Sequence, residues 1–203
     1  MVPTRHEIPL AAMPLAFGVQ QLVEGFLWLA LFDGDAASQS CLTTGFLGFA
    51  EVLWPLFVPV AAWLIEPPGR RRRAMAACIG AGVLVALALA YGLVAQPRSA
   101  ELFEGHIYYH MPHYGGAGTF NLFVPTMLLY LAATCLSLML ASDRTVRAIG
   151  VVMTVAFIVT STLYETWMIS VWCFFGALLS GLVLLWAAQR GGAAAATLPV
   201  RTS

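Results

Sequence analysis

The sequence predicts an all-α, polytopic membrane helix bundle, and three observations carry that reading. Of 203 residues, 60% are hydrophobic and 10% charged, with mean hydropathy +0.83, against roughly 25% charged residues in a soluble domain. The apolar residues gather in six long runs: Ile8–Phe32, Cys41–Ile65, Ala74–Ala95, Phe120–Ala141, Ala148–Tyr164 and Trp167–Ala188. A helix rising about 1.5 Å per residue needs about 20 such residues to cross hydrocarbon. Arginines collect between alternate runs. These features exclude a nucleic-acid binder, a disordered chain and a soluble single-core enzyme. Because the runs are continuously apolar and do not alternate, a membrane β-barrel is excluded too.

The first run carries Glu24, is too long for a signal-peptide core, and is followed by no small-x-small cleavage site. It is expected to stay as a span. The linker after the second run, Glu66-Pro67-Pro68-Gly69-Arg70-Arg71-Arg72-Arg73, is the strongest topological signal. Arg5, Arg144, Arg147, Arg190 and Arg201 fall on the same side if there are six spans, leaving Arg98 alone on the other. The positive-inside rule then puts both termini and the arginine loops in the cytoplasm, and the long Gln96–Thr119 segment outside, at a plasma membrane. The fifth and sixth runs meet at a tight turn around Tyr164–Trp167. Residues 1–190 read as one transmembrane domain and 191–203 as a disordered cytoplasmic tail. Cys41, Cys78, Cys135 and Cys173 form no C-x-x-C pair and read as free thiols, although Cys41 and Cys173 could approach one another. There is no phosphate-binding glycine loop for a nucleotide.

Three segments together carry a family resemblance: Pro14–Gly25, with its Gln-Gln-x-x-Glu-Gly; Trp54–Pro59 leading into Glu66-Pro67; and Ser170–Phe175, with Val-Trp-Cys-Phe-Phe. The chain resembles a family of bacterial multi-pass membrane proteins of unknown function. Longer members begin Met-Cys-Phe-Ser-Ala and have one further helix, so the resemblance implies seven spans in a full-length relative. It implies no activity.

The polar residues inside the spans point to a site. An ionisable residue at mid-span costs at least ~2.5 kcal/mol on insertion scales. Glu24 and Glu51 lie at matching depth, about 12–15 Å below the outer boundary at helical rise. Gln20, Gln21, Glu24 and Trp28 share one stripe of the first helix. Gly45, Gly48 and Glu51 are three apart on the second, a groove suited to close packing, and Pro55 and Pro59 follow. The expected packing sets Glu24 and Glu51 at one interface, facing each other or a shared cavity. No predicted span holds a Lys, Arg or His, so the two acids are protonated, meet a histidine from the outer segment, or ligate a cation.

That outer segment contains His106, His110 and His113, three of the four histidines, with Tyr109 among them. Spaced i, i+4, His106 and His110 would share one face of a helical turn, an arrangement that suits a transition metal or haem. A loop anchored by aromatic residues at headgroup level is the structural alternative, and a proton relay another. Glu165 could join the cluster from the outer turn. The sequence thus supports an outward-facing polar pocket of Glu24, Glu51, Gln20 and Gln21, capped by the His106–His113 segment, binding a metal, haem or small polar ligand. Two rivals remain: a small proton-coupled transporter using Glu24 and Glu51, and a non-catalytic subunit whose acids pair with arginines of another membrane chain; a homo-oligomer is open as well.

Overall fold

The computed structural model describes residues 4–96, 98–110 and 123–196. Five of its helices are long and apolar enough to cross a bilayer. They are α1 (Ile8–Asp33), α2 (Ala36–Ile65), α3 (Arg70–Ala95), α5 (Arg144–Leu163) and the helix following the turn Glu165–Trp167, α6 (Met168–Ala196). A shorter apolar helix, α4 (Val124–Met139), lies fourth in order. Its expected beginning, Phe120, falls outside the described residues.

The helices alternate in direction between two ends. At one end are the arginine linker, the α4–α5 turn and Trp186, which donates to Asp143 Oδ2 at 3.0 Å. Here Glu66 is buried and accepts from the Ser142 backbone N–H at 2.8 Å and its hydroxyl at 2.6 Å. Arg72 stacks on Trp63, 4.0 Å from the ring centre. The arginine run belongs to α3 itself, which starts at Arg70 rather than Ala74. Asp143 caps α5 by accepting from the N–H groups of Thr145 and Val146.

The other end is covered by a feature the helical reading missed. Strands β1 (Ser99–Phe103) and β2 (His106–His110) form an antiparallel hairpin, with Phe103 opposite His106. Its turn is Glu104-Gly105, both at positive φ (49° and 78°), the conformation of a two-residue type I′ turn. A Glu-Gly pair between Leu102-Phe103 and Ile107-Tyr108-Tyr109 was the sequence signal. Ile107 and Tyr109 point inward and are buried; His106 and His110 are exposed.

Two apolar clusters flank a polar middle layer. Near the arginine end pack Leu10, Met13, Trp54, Val58, Met75 and Trp186; beneath the hairpin pack Leu27, Phe46, Leu47, Ile107, Tyr109 and Cys173. Large residues such as Leu15, Leu22, Phe32, Val94 and Leu163 remain exposed, as lipid-facing side chains do. Cys41 is exposed and Cys173 buried, both as free thiols.

The prolines of α2 shape the middle layer. Pro55 has no N–H for the Glu51 carbonyl, and upstream the helix widens into a π-helical turn over Gly48–Leu53, where the Trp54 N–H bonds the Phe49 carbonyl. The Ala50 carbonyl, five residues before Pro55, accepts instead from the Tyr130 hydroxyl of α4. Pro59 likewise frees the Pro55 carbonyl, which lies against Gly82 of α3. A Cβ at Gly82 would stand 1.9 Å from that oxygen and 3.3 Å from the Ala133 Cβ. The close packing expected at Gly45 and Gly48 does not require glycine there: a Cβ at Gly45 would meet a Val23 methyl at an ordinary 3.6 Å, and one at Gly48 would meet no neighbouring element within 4 Å. Backbone approach is needed at Gly82, and at Gly150, where a Cβ would fall 2.7 Å from the Met139 nitrogen.

The α6 helix runs to Ala196, past the expected boundary at 190, because Ala is the strongest helix former. Residues 197–203 lie outside the described part.

Gly82→Ala should lower stability by about 1–3 kcal/mol, since the Pro55 backbone cannot yield as a side chain would. Gly80→Ala on the same helix, with nothing within 4 Å, should be neutral or stabilise by up to about 1 kcal/mol. Thermal unfolding of the two variants in detergent distinguishes them.

Candidate polar site beneath the hairpin

Glu24 is the centre of the site. It occupies the buried face of α1, one turn above Gln20 and three residues after Gln21. Gln21 Nε2 donates to Glu24 Oε2 at 3.2 Å, and the Tyr109 hydroxyl donates to Oε1 at 3.2 Å. Ser170, at the start of α6, lies beside the same carboxylate. Two uncharged donors, one from α1 and one from the hairpin, thus converge on one acid. Tyr109 is held for this role by stacking on Phe46, ring centres 4.9 Å apart. Burial, with Glu24 beside it, pushes the Tyr109 phenol well above its ordinary pKa, so it remains a donor at neutral pH.

Gln20 has a different task from the one its position in the stripe suggests. It is fully buried, and its Oε1 accepts from Trp54 Nε1 at 2.6 Å, tying α1 to α2. Phe17 stacks on the same indole at 3.8 Å. Trp28 leaves the stripe altogether: it is exposed and stacks on Phe32.

Glu51, in the π-helical turn of α2, is buried but has other partners. The Arg98 guanidinium reaches down from the segment before β1 to place Nη2 3.9 Å from Glu51 Oε2, with both side chains almost wholly enclosed. This corrects the expectation that nothing positively charged in the chain stands beside these acids, and Arg98 was not among the three resolutions that the sequence suggested. Arg98 comes from outside the spans, where a count of residues within them could not find it. The signal was its isolation from the other arginines in the six-span reading of the sequence. Glu24 and Glu51 thus have different partners. Tyr130 is in the electrostatic field of Glu51 and Cys173 in that of Glu24.

His106 and His110 do not converge on the acids. On a strand, i, i+4 residues share a face but stand about 13 Å apart at 3.3 Å per residue. His106 packs its ring against Trp167, 5.0 Å between centres, and His110 Nε2 lies 3.1 Å from Glu101 Oε1 on the exposed face. Among the described residues, no group of three His, Cys, Asp or Glu side chains is placed to hold a metal. His113 lies outside the described residues. Glu165 is exposed in the turn before α6 and adds no bond to the cluster among the described residues. A cavity of about 60 Å³ sits deeper, between Phe17, Trp54, Tyr130, Trp172 and Gly176, and its walls are mostly apolar.

The profile of a family of unknown function, DUF6629, matches residues 2–198. The chain belongs to that family. No curated protein and no solved structure matches it. Within the DUF6629 sequence the segments that carried the resemblance have structural positions: Gln20, Gln21 and Glu24 form the α1 side of the polar layer. Trp54, Pro55 and Pro59 make the interrupted helix, and Ser170 and Cys173 close the layer from α6.

Tyr109→Phe should cost about 1 kcal/mol of stability, and Glu24→Gln combined with it should cost less than the two changes added separately. Unfolding of the two single variants and the double variant measures this coupling. Strictly additive losses would mean that Tyr109 and Glu24 do not interact.

Proposed function

We propose that the chain is a plasma-membrane protein of six spans with its arginine end in the cytoplasm, and that the polar layer beneath the outward hairpin binds a small polar ligand. Orientation rests on the arginines, since Lys and Arg bias loops to the cytoplasmic side. The ligand reading is carried by one observation: Tyr109, from the hairpin, supplies a bond to Glu24, an acid inside a span. An intramembrane acid marks an ion, proton or ligand site by default. Here the covering element is a two-stranded hairpin that gives the acid one side-chain hydrogen bond, and access to the carboxylate requires Tyr109 to leave its place against Phe46. The metal and haem form of this reading lacks support, because His106 and His110 are at opposite ends of a strand.

The proton-coupled carrier is the second reading. Its support is the interruption of α2: Glu51 sits in a π-helical turn directly before Pro55 and Pro59, and broken helices with exposed backbone are where carriers bind substrate. The partner-subunit reading loses part of its premise, since Glu51 has Arg98 of its own chain beside it.

In a Cys41→Ser background, a cysteine placed at His110 should react with a membrane-impermeant maleimide on intact cells, and one at Arg72 only after lysis. The reverse pattern would overturn the orientation. For the site, a panel of small polar solutes should include some that raise the unfolding temperature of purified protein, with the rise lost in Glu24→Gln and in Tyr109→Phe. Stabilisation that survives both substitutions would place the ligand elsewhere.

A further inference from the structure

Among the described residues, several acids inside the bundle are closely bonded. Glu66 takes two short hydrogen bonds from Ser142, Asp143 caps a helix, and Glu24 accepts from Gln21 and Tyr109. Arg98, with Glu51 beside it, is different. Its residue is 6% exposed and its side chain 1% exposed, yet among the described residues Nε, Nη1 and Nη2 all lack a hydrogen-bond partner. Glu51 Oε2 is unpartnered as well, and at 3.9 Å its approach to Nη2 is a charge contact without a hydrogen bond. A guanidinium presents five N–H donors in a fixed fork that matches carboxylate and phosphate oxygens. Left unmade in a low-dielectric interior, such donors are costly, and orphaned groups of this kind call for an occupant.

With the layer beneath the hairpin read as a ligand site, we propose that Arg98 is the receptor for an oxyanion, a carboxylate or phosphate group, bound beside Glu51. The oxyanion accepts from the guanidinium edge that the protein leaves free. Glu51 occupies one side of the cation without hydrogen-bonding it, which keeps the arginine neutralised when the site is empty and limits affinity for an anion. Arg98 directly precedes β1, so a bound oxyanion also ties down the root of the hairpin. Two sources carry this chemistry: a soluble carboxylate or phosphate, and the headgroup phosphate of a lipid at the outer face.

The test is thermal unfolding of the full chain in a maltoside detergent, in buffer free of phosphate and carboxylate. Sodium phosphate, sodium acetate or phosphatidylglycerol in mixed micelles is added, with sodium chloride at equal ionic strength as the control. The unfolding temperature should rise in at least one arm beyond the chloride control. A rise with phosphate or acetate identifies a soluble oxyanion, and a rise confined to phosphatidylglycerol identifies a headgroup. Arg98→Gln should abolish the response. Glu51→Gln should shift it to concentrations about tenfold lower, because the cation then has no competing carboxylate. Absence of a response in every arm, or a response unchanged in Arg98→Gln, overturns the assignment. If Arg98→Gln does not fold, Glu51→Gln decides, and an unchanged or weakened response there overturns it. Solutes that act through Glu24 and Tyr109 while ignoring Arg98 would remove this oxyanion site and leave the hairpin-covered site standing.

Discussion

Pro55 withdraws a backbone donor from the middle of a helix that crosses hydrocarbon, and much of the bundle is arranged around that loss. In lipid an unsatisfied carbonyl costs several kcal/mol, with no water to relieve it. The chain answers with a π-helical turn before the proline, a tyrosine hydroxyl from α4 on the freed Ala50 carbonyl, and a glycine of α3 pressed against the Pro55 carbonyl. These contacts join α2, α3 and α4 at one level. Glu51 lies within the widened turn, so the same adjustment that repairs the backbone presents the acid to the interior.

Around this level the polar layer is assembled from elements distant in sequence. Gln20 and Trp54 lock α1 to α2; Tyr109 joins the hairpin to Glu24; Arg98 brings a cation from beyond the end of α3 to Glu51. The apolar clusters above and below seal it. The layer holds a carboxylate with uncharged donors and a guanidinium without hydrogen bonds among the described residues. The hairpin covers them, held chiefly by the burial of Ile107 and Tyr109 in the apolar cluster beneath it.

Much of the architecture was legible because hydrocarbon imposes a length and a composition on each span. The runs ending at Ile65 and Ala95 stop where the helices stop, and the arginine linker falls at a helix boundary. Glu24 and Gln21 stood out as polar groups in an apolar run, and they are hydrogen-bonded to each other. Less of the site itself was readable. Periodicity does not separate a strand from a helical turn in a segment as short as His106–His110, so the histidines were brought together on a helix that is a strand. Gly45 and Gly48 had the spacing of a packing face, while the close contact fell at Gly82, whose neighbour is decided by a proline on another helix.

By itself the sequence determined that the chain is an apolar helical bundle, where its spans lie, and that two acids are sunk within it. Those are properties of individual segments, set by hydrophobic length and by the cost of charge in lipid. Only the tertiary structure decided what each acid faces. Partners such as Tyr109 and Arg98 lie in other elements, and their approach depends on helix rotation, on the widened turn of α2 and on the hairpin register. A one-residue change of strand register would turn Tyr109 outward and a histidine in, which is why the sequence alone could not assign the acid its partner.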